Sequence, residues 1–82
     1  MNELNERLIR CFSIVFPDLP ADQIPRASVS AVAQWNSLAT LNLISMLKEE
    51  FQIQLGADDL PSLLSFELIR DRLSERVYAQ NA

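Results

Sequence analysis

Histidine is absent; cysteine, glycine, tryptophan and tyrosine occur once each; basic residues are outnumbered by acidic ones. Each shortage closes a class of function. Without histidine the chain lacks the commonest general base and metal ligand. The single cysteine, Cys11, can form neither an internal disulfide nor a zinc cluster. It falls on an apolar stripe, which makes it small core filler rather than a reactive thiol, and a reducing cytoplasm suits such a chain. Seven basic and 11 acidic residues leave a net charge of -4, which repels a phosphate backbone and argues against nucleic-acid binding. One glycine and four prolines are little turn material for a many-stranded sheet. No stretch approaches the roughly 18 apolar residues of a membrane span. The start, Met1-Asn2-Glu3, lacks the basic residues and apolar run of a signal peptide. No helix carries the Lys/Arg-rich polar face of a membrane-surface protein. The expectation is a cytoplasmic, monomeric protein with no membrane span and no nucleic-acid partner.

What is present points to helices. The 82 residues suffice for one small domain, 1–82, and 49% of them are hydrophobic, too many for a disordered chain. A first helix is expected from Glu3 to Val15 with Asn2 as N-cap, because Leu4, Leu8, Cys11, Phe12 and Val15 recur at helical spacing. Glu3 with Arg7 and Glu6 with Arg10 have i,i+4 spacing for ion pairs. Pro17 stops this helix. From Pro17 to Trp35 the chain reads as a long loop with room for a short helical turn, pinned to the core by Ile24, Val29, Val32 and Trp35.

A second helix begins at Ser37 with Asn36 as N-cap. Ala39, Leu43, Ile44, Met46, Leu47 and Phe51 fill one face of it. Leu38, Asn42, Ser45 and Glu49 line the other, with Leu41 and Lys48 on its flank. A short third helix is expected over Ala57 to Leu63, where Pro61 fits only in a first turn or at a kink. A fourth follows Ser65 as N-cap, with Leu64 and Ile69 at the positions of a hydrophobic staple. Phe66, Ile69, Leu73 and Val77 face inward, Arg70, Arg72 and Arg76 lie on the outer faces, and Ala79 to Ala82 should fray. The fold expected is all-α: a small four-helix bundle with a long first loop and a short third helix.

Ser37 is the residue of interest. It lies in the first turn of a helix, where free N–H groups and the macrodipole favour an anion such as a phosphate esterified to its hydroxyl. Equally, a serine is simply tolerated there. Leu38 and Leu41 sit beside it on the side that should meet water. They form either an apolar patch for a partner or a surface that the long loop folds back to cover. Glu49 and Glu50 near the end of the same helix oppose its dipole, which suits a solvated or partner-facing role.

These residues resemble the acyl carrier protein family, which includes peptidyl carrier domains. In that family an Asp-Ser-Leu motif opens the second helix. Here it reads Asn36-Ser37-Leu38, within Trp35-Asn36-Ser37-Leu38-Ala39-Thr40-Leu41, and a Trp before the motif recurs in one group of carriers. The similarity continues through Leu43, Leu47, Glu49-Glu50-Phe51, Asp58-Asp59-Leu60 and Ser65-Phe66, from about Leu4 to Val77. It implies a bundle of acyl-carrier type and a covalent 4'-phosphopantetheine on Ser37, delivered from coenzyme A by a phosphopantetheinyl transferase with Mg²⁺. The thiol of that arm would hold an acyl or aminoacyl thioester. Leu38, Leu41, Asn42, Ser45 and Glu49 would be partner-docking positions. The apolar interior near Leu43, Ile44, Leu47 and Leu63 would shelter the cargo. The implied partners are the transferase, a loading ligase, and the transferases or synthases of a pathway for fatty acids or secondary metabolites.

The chain departs from the family pattern in three ways. Asn36 replaces Asp; it caps equally well but lacks a charge to help hold Mg²⁺ or a basic transferase. Ala39, Asn42 and Lys48 occupy positions that are often acidic, which weakens steering by basic partners and points to a specialised carrier. Pro61 alters the third helix and the pocket. The alternative is a carrier-like interaction module that is never modified. An enzyme acting alone is disfavoured, since no base and nucleophile pair is present.

Overall fold

The computed structural model describes the backbone of residues 3–81 and the side chains of residues 3–77. Three α-helices, α1 (Glu3–Val15), α2 (Ser37–Phe51) and α3 (Phe66–Asn81), are joined by segments that each contain a 3₁₀ helix, Ala21–Arg26 and Ala57–Leu63. The all-α bundle is as expected, but the count differs. The short third helix occupies the expected residues as a 3₁₀ helix, and a second one lies in the first loop. Each contains a proline, Pro25 or Pro61, which cannot donate to an α-helical ladder, and short 3₁₀ runs are the form such segments take. Among the described residues β-pairing is limited to one isolated antiparallel bridge, Ser28 to Ser65. No helix there is long and apolar enough to cross a membrane. The expected Asn2 cap lies outside the described residues; α3 continues to Asn81, past the point where fraying was expected to begin.

The helices meet on the predicted stripes. Leu8, Cys11 and Phe12 of α1, Leu43 and Leu47 of α2, and Phe66, Ile69 and Leu73 of α3 are all buried. Phe12 is the hub. Its ring centroid lies 5.9 Å from Phe16, 5.4 Å from Trp35 and 5.2 Å from Phe66, the last two edge-on, an arrangement that adds to the gain from burial alone. Ile24, Val32 and Trp35 pin the first loop as expected, whereas Val29 does not; it is 39% exposed.

Two charge assignments are corrected. Arg7 does not pair with Glu3. Its Nε donates to Glu50 Oε2 at 2.7 Å, its Nη2 donates to the Glu50 carbonyl, and its guanidinium lies 4.6 Å over the Phe51 ring. Glu50 is thus a tie between α1 and α2 rather than a solvated or partner-facing charge. Two acceptors, a carboxylate and a carbonyl, together with an aromatic face offer Arg7 more than one carboxylate on its own helix does. Among the described residues no ion pair joins Glu6 to Arg10. The second correction concerns Arg72 and Arg76, which leave the outer face of α3 and turn toward Asp59.

Candidate functional site

The start of α2 is fixed by its own side chains. Asn36 is in extended conformation, and its Oδ1 accepts from the Ala39 N–H at 3.0 Å. Its carbonyl accepts from Thr40 N at 2.9 Å. Just upstream, Trp35 Nε1 donates to Thr40 Oγ1 at 3.1 Å, so the buried indole is tied to the first turn. The cap takes the Ala39 amide; the amides of Ser37 and Leu38 precede any helical carbonyl four residues back and remain at the positive end of the helix. Ser37 itself is exposed.

The loop does not cover the leucines beside it: Leu38 is 67% and Leu41 is 61% exposed. Ser37 opens onto a cleft of about 560 Å³ lined by Val29, Trp35, Asn36, Thr40, Leu41, Leu60 and Leu64. None of these residues carries a charge. Three separate stretches of chain build it: the first loop, the start of α2, and the second 3₁₀ helix with the residue just after it. The Ser28–Ser65 bridge sets two of them side by side, with Val29 N donating to the Leu64 carbonyl and Phe66 N to the Ala27 carbonyl, both at 2.9 Å. Ser65 Oγ caps α3 by accepting from Leu68 N at 3.1 Å, as its position predicted. Leu64, placed in a staple by its spacing, is 53% exposed and forms part of the cleft wall.

The five expected docking residues are all exposed, but they divide. Leu41 belongs to the Ser37 cleft. Asn42, Ser45 and Glu49 line a separate hollow of about 370 Å³ against Ile14 and Val15 of α1. Leu38 stands on the ridge of α2 with neither. Of the interior positions expected to shelter a cargo, Leu43, Leu47 and Leu63 are at most 2% exposed within the packed core, and Ile44 is partly buried against it. The apolar space beside Ser37 is made instead with Val29, expected in the core, Leu64, expected in a staple, and Leu60. Leu60 and Leu64, four residues apart around the buried Leu63, were the available signal.

Cys11 is 2% exposed. Burial, with Glu50 nearby, pushes its thiol above the ordinary value; Arg7 and Arg10 oppose this only in part. It is core filler, as its stripe implied. Comparison with protein-family models, curated proteins and solved structures returns no match for this chain.

Proposed function

We propose that this chain is a carrier protein. Its Ser37 hydroxyl accepts 4'-phosphopantetheine from coenzyme A, with release of the adenosine bisphosphate half, under a transferase that supplies Mg²⁺ and the base. The thiol of the attached arm would supply the thioester chemistry for an acyl or aminoacyl cargo. The single observation that carries this reading is the exposed Ser37 at the first position of α2, opening onto an uncharged cleft. The residues present suit the group. The first-turn amides offer donors to a phosphodiester, the hydroxyl is accessible to another enzyme, and the cleft gives an apolar surface beside the attachment point. Leu38 and Leu41 form the surface that partner enzymes would cover, and the absence of acidic residues around the cleft matches partners that dock through apolar contact more than by charge.

The test is the intact mass of the purified protein after incubation with coenzyme A, Mg²⁺ and a broad-specificity phosphopantetheinyl transferase, alongside Ser37→Ala. The expected result is a gain of one phosphopantetheine in the wild type and none in the variant. If the wild type gains nothing while Asn36→Asp does, the site is a carrier site attenuated by the missing charge. If neither gains, the reading fails. The alternative is then favoured: an unmodified interaction module, for which the exposed Val29, Leu38, Leu41, Leu60 and Leu64 form the contact surface.

A further inference from the structure

Asp59 is 2% exposed, the one charged side chain that is fully buried among the described residues. Its Oδ2 accepts from Gly56 N at 2.9 Å, at the start of the second 3₁₀ helix. Its Oδ1 accepts from Arg76 Nη2 at 2.6 Å, and Arg72 Nε lies 3.5 Å from the same oxygen. The two guanidiniums reach further along the segment. Arg76 Nη1 donates to the Gln54 carbonyl at 3.0 Å, and Arg72 donates to Ser62 Oγ from Nε at 3.2 Å and from Nη2 at 3.0 Å. Two arginines one turn apart on α3 thus hold the segment before, within and near the end of its 3₁₀ helix, with Asp59 at the centre.

An ion cluster built on a buried carboxylate is a poor way to add stability, since well-packed apolar residues of similar volume often do as well or better. What it supplies is a defined geometry for a segment with few means of holding itself. The 3₁₀ hydrogen bonds are weak, and Pro61 removes one donor. That segment carries Leu60, followed at once by Leu64, and both form the wall of the Ser37 cleft. We propose that Asp59 is a positioning residue. Through Arg72 and Arg76 it fixes the 3₁₀ helix 57–63, and so sets the width of the cleft and which cargo is held there. The statement about cargo rests on the carrier reading; the statement about the wall does not.

The experiment compares wild type with Asp59→Asn. The substitution preserves volume but replaces one acceptor by an NH₂ group that must face either the Gly56 N–H or a guanidinium. Arg76→Gln, at a half-exposed position, releases the clamp from the other side and serves if Asp59→Asn does not fold. Arg7→Gln, which loosens the α1–α2 tie, is the control for general destabilisation. The first readout is amide hydrogen exchange on the unmodified protein. Exchange over residues 57–64 should rise about tenfold or more in the clamp variants, with α1 and α2 changed by less than about twofold. The emission of Trp35, the chain's only tryptophan, should shift to the red as the cleft loosens. The second readout is spontaneous hydrolysis of thioesters on the modified protein. Octanoyl hydrolysis should accelerate several-fold in the clamp variants while acetyl hydrolysis stays as in wild type, and Arg7→Gln should leave the ratio unchanged. Uniformly faster exchange, or the same change in Arg7→Gln as in Asp59→Asn, would overturn the proposal. So would localised exchange with an unchanged octanoyl-to-acetyl ratio. If the wild type accepts no arm, the carrier reading fails separately, and exchange with Trp35 emission still decides whether Asp59 sets the cleft.

Discussion

The Asn36 side chain holds the Ala39 amide while its backbone carbonyl accepts from Thr40, so one residue both starts α2 and orients the turn that bears Ser37. Removing such a cap costs about 1 kcal/mol. With a urea dependence of about 1 kcal/mol/M for a small domain, Asn36→Ala should lower the urea midpoint by about 1 M. Asn36→Asp should hold or raise it, because it retains the acceptor and places a negative charge at the helix N-terminus, worth roughly 0.3–1 kcal/mol. Cys11 supplies a pH dependence. Burial raises its folded-state pKa, so above the unfolded value of about 8.5 the unfolded chain releases a proton that the folded chain keeps. Stability is therefore fully present below that pH and falls as pH rises from there through the folded value. Urea midpoints of wild type taken at about pH 7.5 and pH 9.5 should drop more than those of Cys11→Ala.

The elements divide into those that local pattern specifies and those that it does not. The bounds of α1, the start of α2 and the cap of α3 follow from apolar spacing and from Asn36 and Ser65, all signals within a few residues of what they determine. The segment 57–63 was legible as an element but not as a 3₁₀ helix, because its type depends on how a proline is accommodated. The clamp on it was not legible. Asp59 sits in an Asp-Asp pair that reads as solvated, and its arginine partners lie 13 and 17 residues away, on a helix whose charges alternate in sign. Arg72 and Arg76 are spaced to stack on one face next to Leu73, which is the only hint. Arg7 shows the same limit: a good partner lies on its own helix, and a better one, with an aromatic ring, lies on another. The cleft was half legible. Its α2 side was marked by Leu41, a leucine out of place on a helix; its far side comes from three residues on two other stretches of chain.

At the scale of the molecule, 82 residues support a stability of roughly 4–12 kcal/mol. One aromatic residue can account for much of that. Phe12 is fully buried and meets the rings of Phe16, Trp35 and Phe66, joining α1 to the first loop and to α3. Phe12→Ala should cost roughly 3–5 kcal/mol. Thermal melts followed by far-ultraviolet circular dichroism and by Trp35 fluorescence should then shift down together, as expected of a single cooperative unit. A helical signal that outlasts the Trp35 transition would show that the aromatic hub is not what makes the unit cooperative. Because the surface around Ser37 is gathered from three stretches that meet only in the folded chain, it is a discontinuous epitope. A peptide copied from any one stretch cannot reproduce it, and a binder raised on the denatured chain will not see it. A binder selected against the folded chain across Val29, Leu41, Leu60 and Leu64 would read the native state itself, and would mask the serine as it bound.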